Sequence, residues 1–290
     1  MTLKDLLMEA SGRLRRAGAD APRLSAQLLA CRMLGCTRLE LETRAETLLS
    51  PRELEAFARL LDRRGMGEPV ARLLGEREFY GRMFAVSFAV LVPRPETELL
   101  AELALARLPA SALVFADLGT GTGCLGVSLC AERPAWTAVL ADISAPALAA
   151  ALDNACRHGV LERILPVQGD FCAPLFRAGS LDCIVSNPPY VSEAEYRTLS
   201  VEVRDFDPRL ALVPGASGLE HIEALAVRAA EALRPGGLLL MEFGAEQGRA
   251  AEAVFRALPD WAELRIHRDL AGRERCLEAR RSVPSGDCAP

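Results

Sequence analysis

Asp117-Leu118-Gly119-Thr120-Gly121-Thr122-Gly123 follows the apolar run that begins at Leu113 and leads into a second apolar stretch at Cys124. We read it as strand, turn and helix start. Three glycines in five residues let the backbone turn tightly and approach a ligand with no Cβ in the way, while the helix N-terminus behind them aims amide groups at it. Asp142 lies 23 residues beyond Gly119, at the end of the next expected strand. That offset suits an acid accepting hydrogen bonds from ribose hydroxyls at the switch point of a doubly wound sheet. Gly121, Gly123 and Gly126 also fit the GxGxxG of dinucleotide enzymes, so the turn by itself leaves the nucleoside undecided.

Outward from this turn, strands alternate with helices, the pattern of a parallel sheet covered on both faces. Strands are expected at Leu113 to Asp117, Thr137 to Ala141, Ile164 to Gln168, Leu181 to Ser186 and Leu238 to Phe243, with two more at Ala262 to His267 and Arg275 to Ala279. Helices are expected between them, including Ala147 to His158 and Gly218 to Leu233, the second stopped by Pro235, Gly236 and Gly237. Before the sheet, Gly75 to Val92 alternates in the strand manner and is broken at Gly81, which reads as a β-hairpin. Earlier still the pattern is helical only: Leu3, Leu6, Leu7 and Leu14, then Ala26, Leu29, Ala30 and Met33, then Leu54, Phe57, Leu60 and Leu61 after the Ser50-Pro51 cap.

Composition excludes several function classes. The 290 residues carry 34 basic and 39 acidic side chains, and no apolar run reaches the roughly 18 to 20 residues of a membrane-spanning helix. Acids at Asp5 and Glu9 interrupt the first ten residues, so no secretory signal is expected and the chain is placed in the cytoplasm. Nine cysteines are scattered without a CxxC pair and the three histidines stand apart, so neither a zinc site nor Ser-His-Asp chemistry is expected. Residues 1 to 74 hold 13 basic and 10 acidic side chains, leaving 21 and 29 for the remainder. The front is therefore +3 and the rest −8, a balance that argues against a polyanionic substrate for the larger part.

Asp170-Phe171 follows the third strand. In a nucleoside site Asp170 would receive the adenine amine and Phe171 would stack on or edge the ring; the pair reads equally as a turn acid beside a core aromatic. The fourth strand ends in Ser186-Asn187-Pro188-Pro189-Tyr190. Two prolines directly after a buried strand end its pairing and fix φ, so the loop shape itself is wanted. The Asn187 side-chain oxygen and the Pro188 carbonyl can each accept a hydrogen bond from one planar –NH₂ group, and Tyr190 can cover that flat group. A delocalised amide or aromatic amine nitrogen is a poor nucleophile and gains from being polarised and aimed at an electrophile already in place. The sulfonium methyl of S-adenosylmethionine is such an electrophile and needs no metal. Acids at Glu96 and Glu98 fit a helix N-terminal turn after Pro95 as well as a site, and Glu242, ending the fifth strand, is similarly open.

Asp-Leu-Gly-Thr-Gly-Thr-Gly together with Asn-Pro-Pro-Tyr resembles the amino-methylating branch of the S-adenosylmethionine-dependent methyltransferases. Four further stretches narrow the resemblance: Glu68-Pro69-Val70 through Tyr80, Leu91 through Glu98, Glu202 through Leu212 and Arg268 through Arg275. With these the chain resembles the peptide chain release factor N5-glutamine methyltransferases (the PrmC/HemK family), closely over residues 68 to 281 and in outline before that. The resemblance implies an α/β, Rossmann-like methyltransferase sheet (93–281); the patterns add a small N-terminal helical bundle (1–74), read from its positive balance as the substrate-docking part, a linking β-hairpin (75–92) and, from its polar, proline-bearing composition, a disordered tail (282–290).

The resemblance further implies methylation of the glutamine in the Gly-Gly-Gln motif of class 1 release factors; because Asn-Pro-Pro-Tyr fits either planar amine, adenine or guanine amine methylation of DNA or RNA is the alternative, and a monomer is expected. S-adenosyl-L-methionine would be held by Gly119, Thr120, Gly121, Thr122, Gly123, Asp142, Asp170, Phe171 and Asn187. The glutamine amide would be held by Asn187, Pro188, Pro189 and Tyr190, of which Asn187, Pro188 and Tyr190 would carry the catalysis.

Overall fold

The computed structural model describes residues 1–283. The chain falls into two compact units, Met1–Glu76 with Ser200–Phe206, and Arg77–Leu199 with the chain from Asp207 onward. The first is helical: α1 (Leu3–Arg16), α2 (Pro22–Leu34), α3 (Arg38–Thr43), α4 (Pro51–Gly65) and α5 (Val70–Leu74). Capping boxes at Thr2/Asp5, Thr37/Glu40 and Ser50/Glu53 start three of them. Leu3, Leu14, Leu29 and Phe57 form the core of this unit. The segment Ser200–Phe206, which the sequence places in the methyltransferase region, belongs here, and Glu202 pairs with the buried Arg64 at 2.7 Å.

The larger unit begins one residue into a hairpin, β1 (Glu76–Phe79) and β2 (Arg82–Ala85), followed by a turn at Pro95–Thr97 and α6 (Glu98–Arg107). Tyr80 and Gly81 both adopt positive φ at the hairpin turn. Strand geometry ends at Ala85, earlier than the alternation to Val92 suggests. There the Asn154 side chain takes over the backbone: it accepts from the Ala85 N–H (2.8 Å) and donates to the Ala85 carbonyl (3.1 Å), so the ladder has no need to continue. Phe79 and Phe84 bury their rings in the core of this unit.

A seven-stranded sheet follows, built from β3 (Leu113–Leu118), β4 (Trp136–Asp142), β5 (Ile164–Gln168), β6 (Leu181–Ser186), β7 (Leu233–Glu242), β8 (Trp261–Arg268) and β9 (Glu274–Arg281). Their order is β5-β4-β3-β6-β7-β9-β8. The helices α7 (Cys124–Glu132), α8 (Ala145–Arg157), α9 (Glu193–Tyr196), α10 (Val201–Arg204), α11 (Glu220–Ala232) and α12 (Gly248–Arg256) lie between strands, α10 within the helical unit. The first five strands of the sheet run parallel, but β9 is antiparallel to both β7 and β8, which corrects the expectation of a wholly parallel sheet. The cause is local: only Asp269 to Arg273 join β8 to β9, too short a link for a parallel crossover.

Period-two alternation sorts the strand side chains between two cores. Phe115, Cys183, Val185 and Leu240 face the layer of α6, α7 and α8, while Ala116, Ile184, Leu239 and Met241 face α11 and α12. The helix expected through Leu233 ends at Ala232, and Leu233 already pairs with Leu181 as β7. Ser282 is tied by its backbone N–H to Asp260 at 2.7 Å, so the tail expected from residue 282 begins with a bonded residue; 284–290 lie outside the described residues. Among the described residues no helix is long and apolar enough to cross a membrane.

Candidate active site

The sheet order reverses between β3 and β6, and this is where α/β sheets leave a crevice at their carboxyl ends. Register brings the functional segments to that edge together. Leu118 pairs with Ala141 on one side and with Ser186 on the other, so the glycine turn, Asp142 and Asn187 all leave adjacent strands at one level. Gly119, Gly121 and Gly123 have φ of 69°, 55° and 77°, a region L side chains rarely adopt. A Cβ on Gly121 would meet nothing within 4 Å, so this part of the turn opens onto free space, whereas one on Gly123 would collide with Ala151. Gly126 serves packing: a Cβ there would lie 2.4 Å from Leu140 and 3.1 Å from the Asp117 carboxylate.

Two carboxylates brace the turn. Asp117, buried at the end of β3, accepts from Thr120 Oγ1 (2.7 Å) and from the Gly126 N–H (3.0 Å). Burial pushes its carboxyl up to about 6 despite those two bonds. Asp142 accepts from the Gly121 N–H through Oδ2 and from the Ser144 N–H through Oδ1, each at 2.9 Å. Each oxygen has two acceptor positions, so the fixed and partly exposed carboxylate retains capacity for ligand hydroxyls. Asp170 is exposed and uses Oδ1 to accept from the Cys172 N–H (2.8 Å). Phe171 is buried beside the turn, meets His221 edge to face at 4.9 Å, and places its Cε1 3.7 Å from where a Cβ on Gly119 would lie. His221 is held neutral chiefly by burial and bonds to the Pro189 carbonyl.

The loop after β6 sits next to the turn: Asn187 borders the same cavity as Gly119, Gly121 and Thr122. Its Nδ2 donates to Thr97 Oγ1 at 2.9 Å, and Thr97 Oγ1 donates to Glu242 Oε2 at 2.7 Å. Tyr190 Oη donates to the other Glu242 oxygen at 3.3 Å. Glu242 is only 2% exposed; burial raises its carboxyl to about 7, with Thr97, Arg275 and Tyr190 opposing. Burial also pushes the Tyr190 phenol up. The Tyr190 backbone is fixed by Gln247, whose Nε2 donates to its carbonyl at 2.9 Å, and by Gly218, where a Cβ would come within 2.6 Å of that carbonyl.

Residue-type reasoning did not find Thr97, Asp117, Asn154 or Gln247, and it left Glu242 open. The available signal was polarity at positions that the strand and helix patterns make internal. Glu98 Oε1 accepts from the Tyr80 N–H at 3.0 Å, while Glu96 is exposed. Pro188 is buried and Pro189 partly so, which fixes the loop between Asn187 and Tyr190.

Comparison with known proteins identifies the family. Residues 5–75 match the family described as PrmC N-terminal domain and residues 96–203 the family described as Methyltransferase small domain. A release factor glutamine methyltransferase of Nitratidesulfovibrio vulgaris is 49% identical over 283 residues, 97% of this chain and 96% of the relative. Another from Moorella thermoacetica is 41% identical, over 97% of this chain and 99% of that one. Among solved structures, a methyltransferase from Pyrococcus furiosus superimposes with a TM-score of 0.53 at 14% identity, covering 77% of this chain and 99% of its own, which is a likeness of fold.

Proposed function

The chain belongs to the release factor glutamine methyltransferases, and from that membership we propose that it methylates the side-chain amide nitrogen of the glutamine in the Gly-Gly-Gln motif of class 1 peptide chain release factors. S-adenosylmethionine is the cofactor and supplies an electrophilic methyl group on its sulfonium. The residues present suit it. The side-chain-free Gly121 backbone and the braced Asp142 carboxylate offer a cradle and acceptors for a nucleoside.

The observation that carries the reading is that the Asn187 carboxamide borders the cavity formed by the glycine turn. With Nδ2 committed to Thr97, Asn187 Oδ1 remains as an acceptor for the substrate amide, and the Pro188 carbonyl is the second. Holding the amide nitrogen in line with the methyl group contributes on the order of 7–11 kcal/mol. Acceptors that strengthen as positive charge develops on that nitrogen add about 2.7–4 kcal/mol each, by analogy with oxyanion sites. Tyr190, anchored through its hydroxyl and its backbone, covers the flat group.

We assign docking of the release factor to the helical unit, where Leu7, Met8 and Leu41 line a groove rimmed by Lys4, Arg15 and Arg23. The enzyme would act in the cytoplasm as a monomer. The test is the Asn187→Ala variant with labelled S-adenosylmethionine and release factor. Cofactor affinity should stay within a few-fold while turnover falls by about 10² to 10³; equal loss of both would remove the role given to Asn187.

A further inference from the structure

A carboxamide has two ends of almost equal size and opposite hydrogen-bonding character. An asparagine that must accept from a substrate –NH₂ group therefore needs something to stop it from turning its own –NH₂ outward, where two donors would meet. In this protein the buried neighbours of Asn187 supply that restraint.

Thr97 has a single hydroxyl proton. An ionised Glu242 can only accept, so at 2.7 Å from Glu242 Oε2 the Thr97 proton is committed to the carboxylate. Only lone pairs of Thr97 Oγ1 then face Asn187, and only Nδ2 can satisfy them, at 2.9 Å. Oδ1 is left for the cleft. The polarity of the chain thus starts at the charge on Glu242 and ends at the atom offered to the substrate.

We propose that Thr97 and Glu242 are positioning residues that fix which end of the Asn187 carboxamide meets the methyl-accepting amide; this rests on the function proposed above. The second Glu242 oxygen accepts from Tyr190, so the same carboxylate holds the covering ring. Neither Thr97 nor Glu242 need touch the substrate. Their alignment is possible because the turn at Pro95–Thr97 and the end of β7, 145 residues apart, meet above the sheet edge.

A protonated Glu242 would reverse the chain. Its carboxyl could donate to Thr97, freeing the Thr97 proton for Asn187 Oδ1 and turning Nδ2 outward. Burial raises the Glu242 carboxyl to about 7. The titratable groups that act with it are Arg275 and Cys276 on β9, Glu96 in the turn before α6, Tyr190 after β6 and Cys124 at the start of α7. Arg275 favours the charged form and Glu96 opposes it.

The test uses the full chain with S-adenosylmethionine and release factor, and measures single-turnover methyl transfer at saturating substrate from pH 6 to 8, with cofactor affinity measured in parallel. Wild type should slow about tenfold between pH 8 and pH 6, as one group titrating near 7 requires. Glu242→Gln carries no titrating carboxyl and has only one oxygen for both Thr97 and Tyr190, so it should lower the rate at pH 8 and, at whatever rate remains, lose the acid limb. Thr97→Val should lower the rate at pH 8 at least about tenfold with unchanged cofactor affinity, and Thr97→Ser should restore it. Thr97→Val at the wild-type rate, or an unchanged acid limb in Glu242→Gln, overturns the inference while leaving the proposed function standing. A wild type that transfers nothing to the factor overturns both.

Discussion

In the function proposed above, Asn187 and Asp142 would divide the work at the carboxyl edge of the sheet, one beside the acceptor and one beside the nucleoside. Because Asp142 also receives the Gly121 N–H, Asp142→Ala removes a ligand acceptor and loosens the glycine turn together. Cofactor affinity should fall by at least about tenfold, with a smaller effect on transfer at saturating cofactor, as read by calorimetric titration and single-turnover rates. Glu242 makes a separate prediction about stability. Its folded carboxyl is raised from 4.5 to about 7, so the proton is held more tightly by the folded chain. The stability this gives is fully present below about 4.5 and is lost as pH rises through 7. Glu242→Gln should therefore gain on wild type across that window, by at most about 3 kcal/mol above pH 7, measured by denaturant unfolding at pH 5 and pH 8. The glycines and Asn-Pro-Pro-Tyr were legible in the sequence because their backbone demands are local. Thr97 was not, and Glu242 stayed open, because their meaning depends on a contact between distant segments.

At the scale of elements, one buried side chain joins three of them. Asn154 on α8 accepts from Ala85 N–H, donates to the Ala85 carbonyl and donates to the Thr122 carbonyl at 2.9 Å, and it is wholly buried. The hairpin end and the glycine turn are thereby fixed to the same helix. Asn154→Leu would strand those backbone groups at about 1–3 kcal/mol each, so unfolding free energy should drop by several kcal/mol and cofactor affinity should weaken with it. An unchanged affinity in a folded variant would free the turn from this clamp. The sequence pattern located the sheet strands well because their apolar runs lie between glycine and proline breaks. It could not show that β9 inserts between β7 and β8, since strand order follows from packing and not from the period of the side chains. The helices α3 and α5 were missed for another reason: at 6 and 5 residues they are too short to display a periodic face, and only the Thr37/Glu40 capping box marks the first.

Across the whole molecule the charge is unevenly divided, with +3 on residues 1 to 74 and −8 on the remainder. The helical unit also recruits Ser200–Phe206 from far along the chain through Glu202 and Arg64. Sequence order concealed that assignment, because a four-residue helix inside a methyltransferase region carries no sign of which core it joins. If the groove rimmed by Lys4, Arg15 and Arg23 receives the release factor, reversing the three charges should raise KM for the factor severalfold and leave cofactor affinity unchanged. An unaltered KM would move docking elsewhere. The central claim concerns the acceptor, and the most direct measurement incubates the enzyme with labelled S-adenosylmethionine and, in parallel, release factor, the same factor with its Gly-Gly-Gln glutamine replaced by alanine, and duplex DNA. Label is expected in the intact factor alone; label in the DNA, or undiminished label in the glutamine-replaced factor, would contradict the account.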